Sequence, residues 1–238
     1  GLGMLLVLLI VAVQADVVRV PLVAALDRFV HDMRLRCTDA PVDPRIVIVD
    51  IDEASLGELG RWPWERDVLA RLITRLTRDT QAAVVGVDIV FAENQREHGH
   101  DDRLATAIES APVVLGYYFT SDRGGRASGR LPAPVMRADA LPQGMHPLSW
   151  DGYGATIPQL QRAARGSGFF NPVVDPDGVV RALPLLGEYR GGLYESLAVA
   201  VLRQYLGSAA IGVVGDALVL KGSRASMRIP MSAGMTAL

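Results

Sequence analysis

The sequence predicts an α/β fold: a mixed, partly parallel sheet built from βαβ units, flanked by helices and preceded by an N-terminal membrane-proximal helix. Three observations predict it. Two β-branched runs, residues 46–49 (IVIV) and 83–87 (AVVGV), are separated by one helix-length segment. A third run, residues 113–119, follows a second helical segment, and strands that alternate with helices pair in parallel through crossovers. Further on, Asp175-Pro176-Asp177-Gly178 lies between two β-rich runs. Asp and Gly accept the backbone angles of a tight turn, so this reads as a hairpin.

Taken in order, the chain begins with an uncharged apolar run, residues 2–13 (LGMLLVLLIVAV). A helix needs about 20 such residues to cross a bilayer, so residues 1–19 are expected to be the outer end of a membrane helix. Gln14, Asp16 and Arg19 mark its exit into water. A signal-peptide core or a buried helix are the alternatives; a signal peptide would show a basic start and a small-residue cleavage site, and neither is evident. Residues 20–238 are then one domain, which the family resemblance given below implies to be extracytoplasmic. In residues 20–36, Leu22, Leu26, Phe29, Val30 and Met33 oppose Asp27, Arg28, Asp32, Arg34 and Arg36. That spacing predicts an amphipathic helix, expected to continue the membrane segment and to join two copies in a homodimer.

Two prolines in residues 38–44 break the helix and lead into the first strand at Ile46. A short helix over residues 54–59 stops at Gly60, and Pro63 is placed to open the next one, residues 66–78, whose stripe is Val68, Leu69, Leu72, Ile73 and Leu76. A strand at 83–90, a polar loop, a helix at 103–110 and a strand at 113–119 follow. Residues 121–154 are rich in Gly and Pro and show little periodicity, so they read as a long surface insertion. A helical turn is expected near 157–164, a helix at 193–206 ended by Gly207, and two or three short strands within 211–229.

Composition narrows the partners. The net charge is −2, and a nucleic-acid binder would present a basic face, so no nucleic acid is expected. Lys221 is the only lysine and Cys37 the only cysteine. A single cysteine rules out an intrachain disulfide and a cysteine-based zinc site.

The acidic residues that end the first two runs carry the functional question. Asp50 and Asp52 resemble the aspartate pair of a phosphoryl-transfer enzyme, in which one carboxylate attacks phosphorus beside a magnesium ion. The haloacid-dehalogenase pattern (DxDGT or DxDxT) wants a hydroxyl residue where Ala54 stands, and a downstream lysine near an acidic loop, whereas Lys221 lies among short strands. A metal-dependent hydrolase or phosphatase using Asp50 and Asp52, and a purely structural interaction module, are therefore the alternative readings and not the preferred one. Asp52 and Ser55 also serve as helix caps. Trp62-Pro63-Trp64 is a stiff aromatic turn, and Arg66 is expected to pair with Asp52 or Asp88. Ligands of open α/β sheets bind beyond the carboxyl ends of the strands. The candidate ligand site is accordingly Asp52, Ser55, Trp62, Arg66 and Asp88, with no catalytic residue and no cofactor assigned. His98, His100, Asp101 and Asp102, with Glu93 and Glu97, have metal-ligand chemistry but lie in a loop, where an HxH pair lacks rigid support; no metal is assigned. No Gly-rich phosphate loop and no GxSxG elbow occurs.

The chain resembles the type-two CHASE domains, extracytoplasmic sensors of bacterial receptors. The resemblance is carried by LDRFVHDMRLR (residues 26–36), IVIVDIDEASLGELGRWPWERDVLARLI (46–73), VVGVDIVFAE (84–93) and DDRLATAI (101–108), then GFFNPVVDPDGVVRALPLL (168–186) and YESLAVAVL (194–202). It implies a membrane helix before the domain, further membrane helices after it, and a cytoplasmic output module: an adenylate or guanylate cyclase, a diguanylate cyclase, or a histidine or Ser/Thr kinase. It implies no particular ligand. The stretch 121–154 departs from the family pattern.

Overall fold

A computed structural model describes residues 21–37, 43–95, 99–121 and 124–237. It forms two compact units, Gly1–Glu53 and Ala54–Leu238. The expected membrane segment, residues 1–19, lies outside the described residues. No helix among those described is long and apolar enough to cross a membrane.

In the first unit, helix α1 (Pro21–Cys37) takes up the amphipathic pattern. Its apolar residues Val23, Leu26, Val30 and Met33 are exposed. The expected strand at 46–49 has no regular secondary structure and forms no ladder with any described strand. Ile46, Val47, Ile48 and Val49 are 71, 79, 89 and 53% exposed. β-branched residues favour an extended backbone, yet a strand exists only through its partner. The first half of the expected βαβ unit is therefore missing.

The second unit is the α/β body. Helix α2 (Glu53–Leu59) is closed by Gly60 at φ +90°. Helix α3 (Arg66–Arg78) starts three residues after Pro63, with Glu65 at its N-cap. Strand β1 (Val85–Val87), helix α4 (His100–Glu109) and strand β2 (Val113–Thr120) then give the parallel crossover. β2 reads VVLGYYFT, and Val113, Val114, Leu115 and Tyr117 are fully buried, as expected of a strand covered on both faces.

Residues 121–154 hold more order than expected: β3 (Ala127–Ser128), β4 (Met136–Arg137), a single 3-10 turn, β5 (Leu148–Trp150) and β6 (Gly152–Gly154). Each strand has only two or three residues, and most pair with strands far away in the chain. Such pieces are too short to show a period. Helix α5 (Pro158–Ala163) and β7 (Gly166–Phe169) follow. β8 (Val173–Val174) and β9 (Val180–Pro184) form the predicted hairpin. Gly178 at φ +83° makes its turn, and Arg181 donates to Asp175 and Asp177 at 2.7 and 2.8 Å.

β10 (Leu186–Tyr189) and β11 (Gly192–Glu195) are joined by Arg190 and Gly191, both with positive φ, the pattern of a two-residue hairpin. This corrects the expected helix at 193–206, whose first residues belong to β11; helix α6 is Leu197–Tyr205. Strands β12 (Ala210–Val214), β13 (Ala217–Lys221) and β14 (Ser226–Pro230) make an antiparallel meander, and β15 (Thr236–Ala237) pairs with β9.

The main sheet runs β1-β2-β6-β3, with β7 also on β2. β1 and β7 flank β2 in parallel, and β6 pairs antiparallel with its last three residues. The second sheet is β4-β11-β10-β5. An aromatic core of Tyr117, Phe119, Phe169, Tyr189 and Tyr194 joins residues of both sheets. Phe119 is its centre, stacked on Trp150 at 5.0 Å and 5.4–5.8 Å from four further rings; such pairs add about 0.5–1.5 kcal/mol each beyond buried area. A second core of Leu186, Leu193, Val199, Leu218, Leu220 and Met235 lies under the meander.

Helix α6 packs on β7, β2 and β1. It comes so close that a Cβ at Gly168 would lie 2.5 Å from the Leu197 Cα, and one at Gly86 2.8 Å from Val201. Gly168→Ala should therefore cost about 1–3 kcal/mol, the range for overpacking, as read from urea denaturation. Gly212→Ala, with open space around it, should cost far less. Equal losses would contradict the close approach.

Candidate functional site

Arg66 organises the carboxyl edge of β1. As the first residue of α3 its backbone N–H has no partner within the helix, and it donates to Gln95 Oε1 at 2.8 Å. Its Nε donates to Asp101 Oδ1 at 3.2 Å and its Nη2 to the Glu93 carbonyl at 2.9 Å. The guanidinium sits 4.5 Å from the centre of the Phe91 ring. Both side chains of the Arg66–Asp101 pair are only 13% exposed. Asp101 Oδ2 also accepts the Gln95 N–H at 2.9 Å, and Asp101 lies in the first turn of α4, where a negative charge is favoured.

This corrects the pairing of Arg66 with Asp52 or Asp88: the carboxylate it takes is Asp101. A carboxylate already placed at a helix start, with a second bond to Gln95, outcompetes one at the end of a short strand. Asp88 directly follows β1 and is exposed. No described residue pairs with it, and partial desolvation of its carboxyl raises its pKa above the ordinary value.

Asp52 is exposed, directly before α2 and in the first unit, whereas Ser55 is a half-buried residue of α2. Trp64 is buried and donates its Nε1 to the Gly60 carbonyl at 2.8 Å. Trp62, 40% exposed, meets Trp64 edge to face at 5.7 Å. The turn is thus held by one indole and shows the other to solvent. Glu97 and His98 lie outside the described residues, and no group of three or more His, Cys, Asp or Glu among the described residues is placed to hold a metal ion. Asp102 accepts from Gln159 Nε2 at 2.5 Å, which ties α4 to α5.

A different place in the unit gathers buried polar groups. Glu195 ends β11, is 8% exposed, and accepts from Arg203 Nη1 at 2.6 Å through Oε1. Burial raises its pKa, against the opposing pull of Arg203. The fully buried Tyr117 hydroxyl is pushed up first by burial and then by the charge of Glu195. Pro134, Val135, Ser167, Tyr194, Glu195 and Arg203 line a cavity of about 320 Å³. Sequence reasoning missed it. Its one signal is a glutamate closing the apolar run 192–195, with an arginine eight residues on.

Compared with models of known protein families, residues 4–237 match the CHASE2 domain. No curated protein and no solved structure matches. The chain belongs to the CHASE2 family, extracellular sensory domains of signalling receptors. The family is sensory, and the hydrolase alternative built on Asp50 and Asp52 draws no support from it.

Two outcomes follow for the edge of β1. Arg66→Ala leaves Asp101 nearly buried and unpaired, and should cost about 3–5 kcal/mol. Arg66→Lys keeps the charge without the fork and should recover only part of that; a loss under about 1 kcal/mol for Arg66→Ala in chemical denaturation would place the pair among weak surface bridges. For Asp88, a folded pKa raised above the unfolded one means the native state binds the proton more tightly, so stability is lost as pH rises from the ordinary carboxylate value through the raised one. Asp88→Asn removes that loss. It should be slightly more stable than the parent at neutral pH and level with it below pH 3.8, the ordinary value, and destabilisation at neutral pH would instead reveal an ionic partner.

Proposed function

We propose that this domain is the extracytoplasmic input module of a bacterial transmembrane receptor, lying on the periplasmic side of the inner membrane. Its output would be a cyclase, a diguanylate cyclase or a kinase on the cytoplasmic side. The observation that supports this best is the family match over residues 4–237, read together with the exposed stripe of α1. Val23, Leu26, Val30 and Met33 follow one another at spacings of three, four and three, and Cys37 comes four later. That is the a–d repeat of a two-stranded coiled coil. Val23, Leu26, Val30 and Met33 are 46, 61, 41 and 45% exposed, and Cys37 is exposed as well. Arg28 and Asp32 stand on the far face, and Arg34 and Arg36 flank the stripe.

A second copy of α1 supplies the missing face. Two parallel α1 helices next to the membrane give a dimer with a small set of registers or rotations, and a stimulus that favours one of them shifts the population passed to the output.

Cys37, the only cysteine, reports this geometry directly. In a parallel, in-register pair the two Cys37 thiols meet at a core position. Oxidation with copper–phenanthroline, oxygen taking the two electrons, should join two full-length receptors in membranes through a disulfide that Cys37→Ser removes. Leu26→Asp, which buries a charge in the seam, should abolish the cross-link. A receptor that stays monomeric and unlinked under oxidation contradicts the paired α1.

A further inference from the structure

Helices α3 and α4 pack side by side, and their starts are clasped twice: Arg66 pairs with Asp101, and Arg103 with Asp67. Between the helices lies a groove of about 390 Å³, lined by Arg71, Arg75 and Arg78 of α3 and by Arg103 of α4. Its volume is within the range of small-molecule sites, about 300–1,000 Å³. Among the described residues no carboxylate lines it.

Four guanidinium groups in one groove need a cause, and helix electrostatics supplies only part of one. Arg75 and Arg78 lie in the last turn of α3, where the helix dipole favours a positive charge. Arg71 lies before that turn. Arg103, the fourth residue of α4, stands near a helix start, where a positive charge is disfavoured. Arg71 and Arg75 are four residues apart and Arg75 and Arg78 three, the spacings at which like charges on a helix repel. Asp67 compensates Arg103. Arg71, Arg75 and Arg78 are exposed and have no carboxylate partner among the described residues.

The other polar groups of the groove narrow the occupant. Thr74, Thr106 and Ser110 each donate the hydroxyl proton to a carbonyl of their own helix, at 2.8, 2.9 and 3.1 Å. A hydroxyl has one proton to give, so the guanidinium groups are the side-chain donors left for a ligand. A neutral molecule leaves the excess positive charge as it is, whereas an anion relieves it. A guanidinium fork meets phosphate oxygens through two parallel hydrogen bonds. The three uncompensated charges run along α3 from residue 71 to residue 78, about 10 Å at the helical rise. A row of cations is matched by a row of anions. A short phosphate chain presents one; a branched tricarboxylate, its charges grouped round one carbon, does not.

We propose that the groove between α3 and α4 is a binding site for a small free di- or triphosphate, held by Arg71, Arg75 and Arg78 and flanked by Arg103. The bound anion ties the two helices together beyond the ion pairs at their starts, and so resists a shift of α3 against α4. The binding does not depend on the sensory reading above; a part in signalling would.

The test is isothermal titration calorimetry of the chain with sodium triphosphate and pyrophosphate at physiological ionic strength, with citrate as the branched comparison. Both phosphates should bind, and citrate should bind far more weakly. Arg71→Ala and Arg75→Ala each remove a charged donor and should lower triphosphate affinity by about tenfold or more. Both side chains are exposed, so circular dichroism should show the fold unchanged. Arg126→Ala removes the same charge from an exposed position outside the groove and should leave the affinity as it was. Failure of both phosphates to bind overturns the site, as does citrate binding as tightly as triphosphate. An equal loss in Arg126→Ala would reduce the binding to diffuse attraction and overturn it as well. Association with phosphatidylglycerol vesicles but with neither free phosphate would make the groove a membrane contact instead.

Discussion

Taking a guanidinium largely out of water is among the costliest acts in this fold, and the carboxyl edge of β1 is built to offset it. Arginine does not give up its proton, so the charge must be matched where it stands. Asp101, the Glu93 carbonyl and the Phe91 ring face Arg66 from the stretch of chain that leads from β1 into the first turn of α4. Meeting them fixes where α3 starts, how residues 91–95 run, and where α4 begins. Phe91 passes the constraint on, because its N–H donates to Thr156 and its carbonyl accepts from Ile157, just before α5.

β2 plays the corresponding part for the sheet. It is buried on both faces and changes partners along its length, from parallel β1 and β7 to antiparallel β6. Phe119, near its end, collects aromatic side chains from both sheets. The functional consequence concerns location. In open α/β sheets the carboxyl edge receives the ligand, but here the arginine that would meet an anion is committed to Asp101 and Glu93. Of the buried side-chain atoms without a hydrogen-bond partner among the described residues, those of Tyr117, Glu195 and Ser196 gather where β11 gives way to α6.

Much of the body was legible in the sequence. The helices at α1, α3 and α4 announce themselves by apolar stripes, β2 by a continuous apolar run, and the β8–β9 hairpin by its Asp-Pro-Asp-Gly turn. The misreadings share a physical origin. Residues 46–49 have strand composition, but pairing is decided by a partner that local sequence does not name. Strands of two or three residues in 121–154 have no period to detect. The start of residues 193–206 is apolar in a way that serves strand or helix equally, and only the positive φ at Arg190 and Gly191 ends the ambiguity. For the site, Arg66 was recognisable as a charged residue at an aromatic turn, while its partner was not. Asp88, Asp52 and Asp101 are equivalent in composition and differ only in what surrounds them. Glu195 and Arg203 lay hidden inside an apolar run because burial, not residue type, makes them unusual.

The claim on which this account turns is that Arg66 and Asp101 act as one unit at the edge of β1. A double-mutant cycle in chemical denaturation tests it most directly, with Arg66→Ala and Asp101→Ala singly and together. The account predicts a coupling of about 1–3 kcal/mol for this pair and none resolvable in the parallel cycle of Arg66 with Asp88. Coupling of Arg66 to Asp88 instead, with additive losses at Asp101, would contradict it and return Arg66 to an open site at the carboxyl edge of the strand.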